Sequence, residues 1–157
     1  MGAALDLLSK SLVFRFCEDR IVLIPHLLAI TRAQNYGGVF GLGRGRSLLF
    51  LAVTLAALVA ILIFRRRYHP DSRFAASAFA LIVAGALGNA YDRVMTLPNS
   101  YVRDFIDVQL HLPRLQHWPT FNLADAFICI GVFLLLIHSY LMEERQEDNG
   151  KPNTPPA

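Results

Sequence analysis

The 157-residue chain predicts an α-helical membrane protein with three full transmembrane helices and a small region of strands and loops at the membrane surface. Three observations carry this expectation. Apolar residues make up 54% of the chain and charged residues 17%, with a mean hydropathy of +0.40, well to the apolar side of a soluble domain. Three uncharged runs, Ser47–Phe64, Phe74–Tyr91 and Ala126–Met142, approach the roughly 17 to 25 residues that a bilayer-crossing helix needs. The remaining apolar segments are short and broken by Pro and Gly, which suits strands and turns.

In chain order, Met1–Leu5 is neither a signal peptide nor a transmembrane helix, because no basic region precedes a long enough apolar one. Ile21–Thr31 is apolar for eleven residues only and holds Pro25 and His26, so it is too short to span. With Asn35–Gly45, which carries Gly37, Gly38, Gly41, Gly43 and Gly45, it reads as strands and turns at the membrane surface. The first span ends at Arg65, Arg66 and Arg67, which can anchor at the headgroups. The second is dense in small residues such as Ala75, Ala78, Gly85 and Gly88, so it should face other helices rather than lipid. The third follows Pro119 and Phe121, and Asn122 or Asp125 can serve its first free amides. One domain over 1–142 is expected, followed by a polar, Pro-containing, disordered tail over 143–157.

Composition also excludes function classes. The net charge of +3 comes from scattered arginines, not a basic stripe, so no nucleic-acid partner is expected. Cys17 and Cys129 lie far apart and indicate no redox compartment. Lys and Arg number six over residues 65–73 and the tail against nine elsewhere, yet four arginines crowd the loop at 65–73, which places that loop in the cytoplasm and the 92–121 loop outside.

Ionisable groups beside apolar spans are costly and point to function. Asn89, Asp92 and Arg93 share one helix face at the end of the second span, although an Asp92–Arg93 ion pair ending the helix would also account for them. In Val102-Arg103-Asp104-Phe105-Ile106-Asp107, strand alternation puts Asp104 with Val102 and Ile106 on the buried face and Arg103, Phe105 and Asp107 on the other. Asp125 shares a face with Asn122 at the mouth of the third span, where a carboxylate could also simply complement the helix dipole. Two carboxylates converging there would share a proton, one activating water while the other protonates a carbonyl oxygen. Nucleophile-elbow, Cys–His, zinc and phosphate-loop patterns do not occur, and His111 with His117 reads as a solvated loop pair.

The sequence resembles the signal peptidase II family of membrane aspartic proteases. Five blocks carry the resemblance in order: Asp6-Leu7-Leu8-Ser9-Lys10, Asn35-Tyr36-Gly37-Gly38-Val39-Phe40-Gly41, Gly85-Ala86-Leu87-Gly88-Asn89-Ala90-Tyr91-Asp92-Arg93, Val102-Arg103-Asp104-Phe105 and Phe121-Asn122-Leu123-Ala124-Asp125. The resemblance implies that Asp104 and Asp125 are the catalytic pair. It implies that Asn35, Asn89, Arg93 and Asn122 line the site, supported by Asp92, Asp6 and Lys10. It implies an enzyme of the bacterial cytoplasmic membrane that uses no metal or organic cofactor and has its site near the outer leaflet. Its substrates would be prolipoproteins whose lipobox cysteine carries diacylglycerol, cleaved just before that cysteine. Residues 17–46 and the 92–121 loop would form an extracytoplasmic cradle.

The family has four transmembrane helices, with most of one ahead of the Asp6-type aspartate, whereas five residues precede Asp6 here. Either about 15 to 20 further apolar residues are encoded upstream, which is the favoured expectation, or most of that helix is lacking and Met1–Phe16 is a shortened, partly embedded segment. The competing reading is a small proton-coupled transporter or membrane scaffold, in which Asp92, Asp104 and Asp125 relay protons or pair with Arg93. Three spans without a visible inverted repeat give it little support.

Overall fold

The computed structural model describes residues 1–37, 46–68, 72–112 and 115–150. Most of the glycine-rich stretch, residues 38–45, and the tail beyond 150 lie outside the described residues. So do the side chains of His111 and His117.

Among the described residues, four helices and four strands follow one another as α1 (Gly2–Phe16), β1 (Ile21–Ile24), β2 (Leu28–Asn35), α2 (Ser47–Arg67), α3 (Arg73–Met95), β3 (Val102–Leu112), β4 (Leu115–His117) and α4 (Leu123–Gly150). Among the described residues, three helices are long and apolar enough to cross a membrane, over Ser47–Arg65, Arg73–Met95 and Leu123–Met142, in agreement with the three expected spans. The fold is that of a helical membrane protein with a small antiparallel sheet.

α3 is the central post, packed against α4 most closely and against α2 and α1 on its other sides. Its small residues make this possible, as Ala75, Ala78, Gly85, Ala86, Gly88 and Ala90 are all buried. At Gly85 a Cβ would lie 2.3 Å from the Ala124 carbonyl oxygen, so α3 meets the first turn of α4 backbone to backbone. Ser72 starts α3 by accepting from the Ala75 amide at 3.2 Å. α1 is a shorter helix of 15 residues whose two buried side chains, Asp6 and Lys10, face α3 and α4 while Leu5, Leu8, Leu12 and Phe16 face outward.

The sheet has the order β1-β2-β3-β4, each pair antiparallel. β2 ends at Asn35 opposite Val102, and Ala33 pairs with Asp104, which carries both polar residues to the helical end of the sheet. Two points depart from the sequence reading. Strict alternation does not hold along β3, since Val102 and Asp104 are buried as expected but so are Phe105 and Asp107, while Ile106 is half-buried. The cause is an irregularity in which Thr31 and Arg32 stand opposite the single residue Phe105, and a bulge of this kind re-aims side chains. Residues 143–150, expected as the start of a disordered polar tail, instead continue α4, and their Glu, Arg and Gln are strong helix formers.

Candidate active site

The first turn of α4 is the foundation of the site. A helix N-terminus leaves backbone amides without partners, and three side chains satisfy them here. Asn122 Oδ1 accepts from the Asp125 amide at 3.0 Å, and Asp125 Oδ2 accepts from the Asn122 amide at 3.2 Å, forming a reciprocal capping box. Asp6 Oδ1, reaching over from α1, accepts from the Ala124 amide at 2.9 Å. The sequence left open whether Asp125 caps a helix or joins a carboxylate pair. It caps with one oxygen and offers the other to the site.

Asp104 stands across from this turn. It is 1% exposed, and its two oxygens accept from Asn122 Nδ2 at 2.6 Å and Asn35 Nδ2 at 3.0 Å. Asn122 thus touches both carboxylates. On α3, Asn89 Nδ2 donates to Asp125 Oδ1 at 2.8 Å, and Asn89 Oδ1 accepts from Asn122 Nδ2 at 3.2 Å and from Lys10 Nζ at 2.9 Å. Burial pushes the Asp104 carboxyl up to about 7, Asp125 beside it adds to the rise, and the N–H donors of Asn122 and Asn35 oppose it. Asp125 is half-buried.

Behind the asparagines lies an ionic cluster. Lys10 Nζ meets Asp6 Oδ2 at 2.7 Å and Asp92 Oδ2 at 3.4 Å, with all three side chains fully buried. Asp92 in turn accepts from Arg103 through Nη2 at 2.7 Å, Nε at 3.1 Å and the backbone amide at 2.9 Å. Gly88 makes room for this, because a Cβ there would sit 2.4 Å from Asp6 Oδ2. Arg93 does not pair with Asp92 as the simple helix-ending reading has it. Its Nη2 donates to the Gly37 carbonyl at 3.0 Å and its Nη1 to the Asn89 carbonyl at 3.4 Å, while Nε has no hydrogen-bond partner among the described atoms.

All nine residues singled out in the sequence therefore converge. Asp6, Lys10, Asn35, Asn89, Asp92, Asp104, Asn122 and Asp125 are joined by direct polar contacts, and Arg93 enters through the Asn89 backbone. Asp107 stands apart, paired with Arg20 at 2.9 Å. The sequence reading missed Arg103, which alternation assigned to the face away from Asp104 and which uses that face to clamp Asp92. It named Gly88 among the small residues of α3 and within the third block but gave it no part in the site. Among the described residues, no group of three or more His, Cys, Asp or Glu could hold a metal ion.

Residues 1–141 match a family model described as signal peptidase (SPase) II. The chain is 40% identical over 155 residues to a lipoprotein signal peptidase of Geobacter metallireducens, covering 95% of this chain and 92% of that protein. It is 34% identical over 148 residues to one of Geobacillus thermodenitrificans, covering 93% and 89%. Among solved structures, a bacterial membrane enzyme determined by the in meso method at 2.3 Å resolution superposes with a TM-score of 0.80 at 30% identity, covering 99% of this chain and 90% of that one. A second, at 1.9 Å resolution, gives 0.75 at 33% identity over 87% and 86%.

Proposed function

The chain belongs to the signal peptidase II family, membrane peptidases that remove signal peptides from lipoproteins, and on that premise we propose that its chemistry is aspartic, with Asp104 and Asp125 as the catalytic pair. The observation that carries this reading is Asn122, which donates to Asp104 and exchanges hydrogen bonds with Asp125, so that one residue holds two carboxylates at one place. A pair so placed shares a proton, and its apparent pKa values belong to the pair. The raised carboxyl of Asp104 makes it the holder of that proton, and Asp125, which accepts from Asn89 Nδ2 and the Asn122 amide, is assigned the role of base.

Asp125 takes a proton from water as its oxygen attacks the scissile carbonyl carbon, and Asp104 gives its proton to the carbonyl oxygen. The resulting gem-diol collapses, the C–N bond breaks, Asp125 delivers its proton to the departing amine, and Asp104 recovers one from the diol hydroxyl. No covalent enzyme intermediate forms. Asn35, Asn89 and Asn122 orient the pair, and Asp6, Lys10 and Asp92 support Asn89 from behind.

The substrate class is a prolipoprotein with a lipobox whose cysteine carries diacylglycerol, and the bond cut is the one before that cysteine. We place the protein in the bacterial cytoplasmic membrane with the sheet and dyad at the outer leaflet, an orientation supported by the crowded arginines of the 65–73 loop at the opposite end of the bundle. The family assignment weighs against a transporter or scaffold. Cleavage of a diacylglyceryl lipobox peptide in detergent tests the reading. Asp104→Asn and Asp125→Asn should each lower kcat by about 10²–10⁴-fold, the usual range for a lost general acid or base, while Asp107→Asn stays close to wild type. Turnover by either dyad variant at the wild-type rate would remove that residue from the mechanism.

A further inference from the structure

Arg103 directly precedes Asp104, yet its side chain leaves the opposite face of β3 and turns to α3. There Nε and Nη2 both donate to Asp92 Oδ1, at 3.1 and 2.7 Å, and the Arg103 backbone amide donates to Asp92 Oδ2 at 2.9 Å. Two residues of α1 hold the guanidinium from its other sides. Nη1 donates to Ser11 Oγ at 3.4 Å, and the Phe14 ring lies under the guanidinium carbon with its centroid at 6.0 Å. The side chain is 19% exposed and its carboxylate partner is not exposed at all, so this is not a solvated surface pair of little weight.

What Arg103 does for the site follows from the choices open to Lys10. That fully buried ammonium has three oxygens around it, Asp6 Oδ2 at 2.7 Å, Asn89 Oδ1 at 2.9 Å and Asp92 Oδ2 at 3.4 Å. Away from water a carboxylate attracts a cation more strongly than an amide oxygen does. Lys10 nevertheless lies nearer the Asn89 amide than Asp92, whose charge Arg103 already neutralises. The formal charges of Asp6, Lys10, Asp92 and Arg103 sum to zero. Without Arg103, one lysine would serve two buried carboxylates.

The contact from Lys10 to Asn89 decides which end of that amide faces the dyad. Asn89 Oδ1 accepts from Lys10 Nζ and from Asn122 Nδ2, which leaves Asn89 Nδ2 to donate to Asp125 Oδ1 at 2.8 Å. We propose that Arg103 is a positioning residue of the peptidase site: by neutralising Asp92 it leaves Lys10 on Asn89, and so keeps the Asn89 amide turned toward Asp125. This role rests on Asp104 and Asp125 being the catalytic pair. Arg103 itself does not touch the reacting atoms, because its side chain occupies the face of β3 away from Asp104.

The test compares the whole chain in detergent with Arg103→Gln and with the double variant Asp92→Asn/Arg103→Gln. Arg103→Gln should lower kcat on a diacylglyceryl lipobox peptide by about tenfold, the scale of one charge-assisted hydrogen bond, with KM close to wild type. Adding Asp92→Asn removes the carboxylate that would draw Lys10 away, so the double variant should regain most of the lost kcat, a non-additive result. If Arg103 merely fastened β3 to α3, removing Asp92 as well would restore nothing. Arg20→Gln, which breaks the arginine fork onto Asp107 of the same strand, should leave kcat near wild type. A second measurement needs no turnover: isotope labelling of asparagine side-chain nitrogens, with the Asn89 signal assigned by its loss in Asn89→Ser. That signal should move in Arg103→Gln and return in the double variant. An unmoved Asn89 signal, an unchanged kcat in Arg103→Gln, or a double variant no better than the single one would each overturn the proposal. Wild-type turnover by Asp104→Asn or Asp125→Asn would instead strike the dyad assignment, and the Asn89 signal would still decide whether Arg103 governs that amide.

Discussion

Asn122 is the residue on which the site's geometry depends, because its side chain addresses Asp104 and Asp125 with different atoms. Burial leaves the Asp104 carboxyl raised to about 7 against the opposing hydrogen bond from Asn122, and the sign of its effects follows. A raised acid favours the folded state while protonated, so its contribution is complete below about 4 and is lost as the pH climbs through about 7. Thermal unfolding in detergent should therefore show wild type losing stability relative to Asp104→Asn over that window. In the same range kcat/KM should fall on the alkaline side as the shared proton leaves, and a profile flat through pH 7 would separate Asp104 from proton transfer. Arg93 gives a second prediction at this scale. Its fork joins the carbonyls of Gly37 and Asn89 from two nitrogens, which a lysine ammonium cannot reproduce. Arg93→Lys should lower kcat/KM by about tenfold despite the retained charge, the size expected for one lost charge-assisted hydrogen bond. Unchanged kinetics would reduce Arg93 to an anchor.

At the scale of elements, the close approach of α1, α3 and α4 decides what the site can hold. Gly88→Ala would force a methyl against the Asp6 carboxylate at a point where the nearest oxygen lies 2.4 Å from the new carbon. Overpacking of this kind should destabilise by about 1–3 kcal/mol, read as a lower midpoint in detergent unfolding, whereas substitution at outward-facing Leu12 should leave the midpoint in place. The long elements were legible in the sequence because each carries an uncharged run of spanning length, and the small residues of α3 announced its packed face. α1 was not, since Asp6 and Lys10 interrupt an already short apolar segment and only their mutual pairing makes burial tolerable. The bulge at Thr31 and Arg32 was equally hidden, because nothing in those two residues marks a register shift. Arg103 was misjudged for a related reason: alternation correctly gave it the opposite face from Asp104, but only the tertiary placement of α3 brings Asp92 to that face.

For the molecule as a whole, the ion cluster joins α1, α3 and the sheet, with Lys10 from α1, Asp92 from α3 and Arg103 from β3. Lys10→Met removes the cation that pairs with fully buried Asp6, leaving that carboxylate stranded at helix-packing depth. Breaking a buried pair on one side typically costs about 3–5 kcal/mol, so the variant should unfold at markedly lower temperature in detergent. Replacing Lys10 and Asp6 together by Met and Asn should recover part of the loss, since it removes the stranded charge. A double variant no better than the single one would mean that the pair acts mainly through its contacts to Asn89 and the Ala124 amide. The sequence blocks that carried the family resemblance are the parts of each layer that meet at this cluster, which is why the site residues could be named without knowing how the layers pack.

The capped carboxylate pair and the ion cluster share one set of formal charges. Lys10, Arg93 and Arg103 bring three positive charges, and Asp6 and Asp92 bring two negative ones. Formally, this leaves one positive charge beside the two carboxylates of Asp104 and Asp125. The lysine and the arginines therefore do more than tie helices to the sheet: they give the polar end of an otherwise apolar bundle a net attraction for negative charge.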